Sequence, residues 1–266
     1  MNNRKSFFVP VLFGIAAFSL TGCLSTQLKS MGTYPMPIAH QPRLAPDSKE
    51  AEKVISVDGV GLFNESWTNT EQIYGGGAYV SGIYRLPGEL SPLFASVSVG
   101  GFGGHVNFTC DEKKDCDKGY LDWLKSHEGH SDQSFWGIQE RAFVGFEYNT
   151  PANIFFGLGG GAFVYQSGGD FDKARKKLDK KFPKIDRKGG HIDAFLLGSA
   201  WLGYHIGQNG KYGAVSLDIS TSDAFSDDNT VSLPINLGYF HPTGFHGGVG
   251  FTGSGIDAFF GKSFQF

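Results

Sequence analysis

Three cysteines and three methionines in 266 residues exclude a disulfide-dense scaffold, and 11 prolines exclude a collagen-like chain. Charged residues make up only 18 % of the chain and nearly balance, at a formal −3, so the basic signature of a nucleic-acid binder is missing. Long apolar runs are missing too. Phe7–Leu20 stops short of the roughly 20 residues a helix needs to cross a bilayer. Hydrophobic residues, at 40 %, lie below the usual globular share. What the chain does have is glycine and aromatic side chains: 39 Gly beside 25 Phe, 10 Tyr and 4 Trp.

The first residues read as an address. Arg4 and Lys5 form a positive start, Phe7–Leu20 an apolar middle, and Leu20-Thr21-Gly22-Cys23 a small-residue end before a cysteine. This stretch resembles a bacterial lipoprotein signal and matches its lipobox at all four positions. The resemblance implies cleavage before Cys23, diacylglycerol on its sulfur and an acyl chain such as palmitate on its new amine. Several chains on one residue make a stable anchor. The resemblance also implies the outer membrane, because Leu24 stands where an Asp would favour inner-membrane retention. Loss of Arg4 and Lys5 with the signal peptide 1–22 moves the formal charge from −3 to −5. Apart from this covalent lipid on Cys23, no cofactor is indicated. Cys110 and Cys116 remain as an even pair in an exported chain, so a disulfide across their polar loop is expected. So small a ring stabilises by about 2–3 kcal/mol.

Residues 23–52 contain Pro35, Pro37, Pro42 and Pro46 without a hydrophobic period, the pattern of a semi-extended, lipidated tether. From residue 53 to 266 strand signals recur. They are expected near 54–63, 72–84, 92–108, 135–148, 153–166, 191–206, 211–221, 231–240, 244–252 and 255–266. The best of them alternate with period two. In 191–206 one face runs from Ile192 to Ile206 without a charge. In 135–148 Trp136, Ile138, Ala142, Val144 and Phe146 share a face with Glu140, while Gln139, Arg141 and Glu147 take the other.

Connections alternate as well. Leu86-Pro87-Gly88, Asn149-Thr150-Pro151, Gln208-Asn209-Gly210 and Pro242-Thr243-Gly244 are tight turns, and the connections between them are mostly longer and polar. Long loops at one end and tight turns at the other are the asymmetry of outer-membrane barrels. Gly261-Lys262-Ser263-Phe264-Gln265-Phe266 resembles the C-terminal assembly signal of such barrels, which implies the outer-membrane assembly machinery as a partner. The expected fold is therefore an all-β, antiparallel, up-and-down transmembrane barrel of about 10 (8–12) strands. The alternative is a soluble, lipid-tethered barrel or sandwich in the periplasm. A barrel this narrow is filled by its own side chains, with glycine leaving room for aromatics, so no open pore is expected.

Candidate chemistry is sparse. The segment 170–188 carries nine cations against four acids. Phe171, Ala174, Leu178 and Phe182 form one helical stripe there, closed by Pro183. Lys176, Lys177, Lys180 and Lys181 are candidates for binding lipid A phosphates or another anionic surface, the alternative being a solvated lid helix. His191 and Asp193 share a face at the long-loop end, with Asp218 and Ser220 ending a neighbouring strand and His105 near the same rim. They match neither omptin-like proteases nor lipid A deacylases, the barrel enzymes nearest in kind. Asp223, Asp227, Asp228 and Asn229 fit no dedicated calcium loop, and no metal site is expected. The reading is an outer-membrane lipoprotein with a structural, surface-interaction or binding role and no catalysis. A barrel enzyme acting on envelope lipid or peptide at the extracellular rim is the alternative.

Overall fold

The computed structural model describes residues 40–43, 45–46, 48–65, 71–108, 132–171, 173, 193–222, 226–227, 230–231, 234–252 and 255–266. In chain order its strands are β1 (Glu52–Glu65), β2 (Glu71–Arg85), β3 (Leu93–Phe108), β4 (Asp132–Asn149), β5 (Ile154–Gly168) and β6 (Asp193–His205). They continue with β7 (Ala214–Ser222), β8 (Ser226–Asp227), β9 (Thr230–Val231), β10 (Ile235–Phe240), β11 (Phe245–Thr252) and β12 (Gly255–Gln265). All but β8 and β9 close into one antiparallel barrel, in which sequence neighbours pair and β7 meets β10 past the β8–β9 hairpin. The barrel shuts where β1 meets β12, from Val54 opposite Gln265 to Asn64 opposite Gly255, so each of its ten described strands is paired on both sides. These are the ten strands expected from sequence. The β8–β9 pair is an addition, too short for alternation to reveal.

Period-two alternation assigns the faces. Along β4, Gln133, Phe135, Gln139, Arg141, Phe143 and Glu147 are buried in the lumen, while Trp136, Ile138, Val144, Phe146 and Tyr148 point out and are exposed. The same outward surface continues around the barrel through Val97 at 63 %, Leu158 at 66 %, Leu196 at 69 % and Phe260 at 64 % exposure. A water-soluble barrel buries such side chains, whereas this one buries Asp58, Arg85, Gln139, Arg141, Glu147 and Asp257 instead. Apolar outside and polar inside is the inversion that a bilayer imposes. The protein is a transmembrane β-barrel of the outer-membrane type. Glu140 faces outward between Val99 and Val164, on the face expected from alternation, and Lys262 shares the outward face of Phe264. Lys262 resolves its position by reaching the tight-turn rim, where its amine donates to the Thr243 carbonyl and lies 4.0 Å over the Phe245 ring.

The lumen is filled in layers. Phe94, Phe143, Phe155 and Trp201 pack with Val54, Ile83 and Ala214, and a second group joins Val60, Tyr79 and Phe259. Inner-face glycines lie directly beneath these rings. A Cβ added at Gly137, Gly145, Gly157, Gly159, Gly203 or Gly248 would come within 3 Å of the ring of Phe102, Phe94, Trp201, Phe143, Phe155 or Phe259 respectively. The two abundant residue types of the sequence are therefore halves of one packing device. At the tight-turn end, Gly244 has φ +89 in the turn His241–Phe245, a left-handed conformation that side chains resist.

Two local expectations change. The strand expected at 231–240 begins only at Ile235, because Pro234 has no N–H for the ladder and contributes just its carbonyl, which accepts from Ser220 N at 3.0 Å. The strand expected at 211–221 begins at Ala214, because Gly213 turns at φ +98. Of the helix expected in 170–188, Lys173 N–H donates to Gly169 O at 3.3 Å in one helical turn, with Phe171 buried beneath. The rest of that segment lies outside the described residues.

Candidate binding site at the tight-turn end

The end of the segment read as a tether is inside the barrel. His40, Pro42 and Arg43 are buried, and His40 has no exposed surface at all. The cause is electrostatic. Strand alternation points Glu52 (β1), Glu147 (β4) and Asp218 (β7) into the same end of the lumen, with Arg85 (β2) as their strand-borne cation. Carboxylates stripped of water require partners, and residues 40–43 bring two.

Arg85 Nε lies 3.0 Å from Glu52 Oε2 and its Nη1 3.5 Å from Glu147 Oε1, with the guanidinium 4.9 Å over the Phe94 ring. Arg43 Nε approaches Glu52 Oε2 at 3.4 Å, and its main-chain N–H donates to Glu147 Oε1 at 3.1 Å. His40 Nε2 donates to Glu147 Oε2 at 2.5 Å, while its Nδ1 faces Asp218 Oδ1 at 3.4 Å. The imidazole stacks on Trp201 with centroids 4.2 Å apart and 16° between planes, and Phe155 and Phe94 flank it at 6.0 and 6.2 Å. A carboxylate near each nitrogen favours the imidazolium form of the ring. Burial alone would depress the His40 pKa, but hydrogen bonding and charge from Asp218 and Glu147 outweigh it and raise the pKa above the ordinary histidine value.

A second polar group sits beside the first. Asp58 Oδ2 accepts from Ser56 Oγ at 3.0 Å, and its Oδ1 accepts from His246 Nε2 at 2.5 Å. His246 Nδ1 lies 3.1 Å from Gly244 O and 3.2 Å from Ser263 Oγ. Serine, histidine and aspartate in a row invite a nucleophilic reading, but Ser263 Oγ donates its proton to Gln41 Oε1 at 2.8 Å. The row therefore serves to tie Gln41 to the β1–β12 seam. The Gln41 carbonyl is held in turn by Arg85 Nη2. Next to this seam a cavity of about 440 Å³ opens at the tight-turn end, lined by Gln41, Pro42, Arg85, Lys262, Ser263 and Phe264 among others.

The residues singled out in the sequence mostly fall elsewhere. Cys23, Cys110, Cys116, Lys176, Lys177, Lys180, Lys181 and His191 lie outside the described residues. Asp193 opens β6 opposite Tyr165. Asp218 does not join it: its partner on β6 is Trp201, eight residues or about 26 Å along the strand, and it faces His40. His105 is at the long-loop end, where Nδ1 lies 3.1 Å from Asp132 Oδ1 and the ring stacks on Tyr74, all on the outer face. His40 and Arg43 escaped notice because a Pro-rich stretch without periodicity reads as linker. The available signal was the surplus of inward carboxylates at one end of the barrel. Among the described residues, no group of His, Cys, Asp and Glu could hold a metal ion.

No protein-family model matches the chain, and no curated protein matches it. Among solved structures it is similar to Neisserial surface protein A, at 9 % identity over 80 % of this chain and 95 % of that one, TM-score 0.36. It is also similar to the outer membrane protein OprG from Pseudomonas aeruginosa, at 7 % identity over 82 % and 97 %, TM-score 0.38. A third is Ail, the attachment invasion locus protein of Yersinia pestis, solved with the heparin analogue sucrose octasulfate, at 9 % over 82 % and 99 %, TM-score 0.34. The barrel assignment rests on strand pairing and on the inverted distribution of apolar side chains described above.

Proposed function

We propose that this protein is an outer-membrane lipoprotein whose filled barrel serves a structural, surface-interaction or binding role rather than catalysis. The observation that carries the reading is the course of residues 40–43, which enter the barrel at the tight-turn end, where β1 also begins and β12 ends. A lipid on Cys23 then anchors the chain to the periplasmic leaflet, the tight turns are periplasmic, and the long loops face outward. Lys176, Lys177, Lys180 and Lys181 would meet the phosphates of lipid A at that outer surface, and a Cys110–Cys116 bridge would stiffen a neighbouring loop.

Metabolic labelling with radioactive palmitate tests the anchor. The wild type should incorporate label and Cys23→Ser should not, while both give the heat-modifiable gel shift of a folded barrel. Equal labelling of the two would refute the lipoprotein reading. Whole-cell labelling of a cysteine placed at Lys180 should succeed, and one placed at Lys211 in a tight turn should stay protected. The reverse pattern would invert the orientation.

A further inference from the structure

The cage around His40 is more elaborate than a strap needs. Two carboxylates approach it edge-on, Trp201 covers one face, and Phe94 and Phe155 close the sides. Aromatic faces with carboxylates at the edge are the chemistry that selects a planar organic cation. Side-chain contacts rather than a backbone ladder hold the occupant of this cage. Among the described residues, no backbone–backbone hydrogen bond ties 40–43 to a strand, and the main-chain contacts of Gln41 and Arg43 go to the side chains of Arg85 and Glu147. A cavity of about 440 Å³ meets the strap at Gln41 and Pro42, next to the cage rather than inside it.

We propose that Trp201, Phe94, Phe155, Glu147 and Asp218 form a binding site for planar organic cations of imidazolium size, which the chain fills with its own His40. A free cation of that class competes with the strap and displaces it. The groups that set the charge of this site are Glu147 on β4, Asp218 on β7, Arg85 on β2, Glu52 on β1 and Arg43 on the strap, with His205 of β6 beyond Phe155. The site is defined by the lumen alone, so it does not depend on lipidation or on which end of the barrel faces outward.

Chemical rescue tests it with imidazole as the probe, on the full chain in detergent. In His40→Ala, imidazole at pH 6 should raise the unfolding temperature saturably. Its affinity should fall about tenfold or more at pH 9, where the probe is neutral, a difference of about 1.4 kcal/mol. The further changes Glu147→Gln and Asp218→Asn should abolish the response. A His40→Ala protein that folds and ignores imidazole, or that responds equally without the two carboxylates, would overturn the proposal. If His40→Ala does not fold, the wild type decides. There, imidazolium should speed trypsin cleavage after the buried Arg43, and sodium chloride at the same ionic strength should not. Equal acceleration by both, or by neither, would overturn the proposal as well.

Discussion

His40 joins a segment without regular structure to the most polar layer of the lumen, and its charge state decides how tightly. Because Asp218 and Glu147 raise its pKa, the folded protein holds the proton more firmly than the unfolded chain does. The resulting stabilisation is fully present below the unfolded histidine pKa of about 6.5 and is lost as pH rises through the higher folded value. In guanidinium unfolding followed from pH 6 upward, the midpoint of the wild type should therefore fall relative to that of His40→Gln, whose amide cannot titrate. A constant difference between the two across that range would show that His40 is not held as an imidazolium. None of this was legible in the sequence, where His40-Gln41-Pro42-Arg43 carries no period and no motif. Its meaning depends on Glu52, Glu147 and Asp218, which the chain brings to one layer only after ten strands have closed.

At the scale of the strand, the sequence was far more explicit, because a strand repeats its environment every second residue. β4 and β5, expected at 135–148 and 153–166, run Asp132–Asn149 and Ile154–Gly168, and the faces of β4 are those read from alternation. β4 at both ends and β5 at its C-terminal end extend beyond expectation because ladder pairing continues into polar residues such as Asp132 and Ser167, where apolar alternation has stopped. The run Gly159-Gly160-Gly161 shows what the alternation means physically. A Cβ at Gly161 would meet the Ala142 carbonyl and the Phe143 backbone in the lumen, both closer than 3 Å, whereas one at Gly160 would point to lipid with only the Leu197 carbonyl at 3.5 Å. Gly161→Val should therefore lose about 1–3 kcal/mol or fail to yield the heat-modifiable folded form. Gly160→Val should stay within about 0.5 kcal/mol of wild type in urea unfolding. Similar losses at the two positions would mean that the faces of β5 are misassigned.

For the molecule as a whole, two barriers lie in series along the barrel axis. The strap closes the tight-turn end, and with His40 protonated its two cations and Arg85 match Glu52, Glu147 and Asp218 charge for charge. Further in, Phe143 packs over Gly159, and beyond it Val60, Tyr79 and Phe259 form a second group in the lumen. Removing the first barrier leaves the second intact, so strap release alone opens a vestibule and no channel. Wild type and a His40→Ala/Arg43→Ala variant should accordingly both lack single-channel steps in planar bilayers, although the variant should unfold at lower guanidinium because three buried carboxylates have lost a partner. Conductance steps in the double variant alone would place the only seal at the strap and make the aromatic layer permeable. Steps in the wild type would mean that the lumen is open despite the rings packed across it.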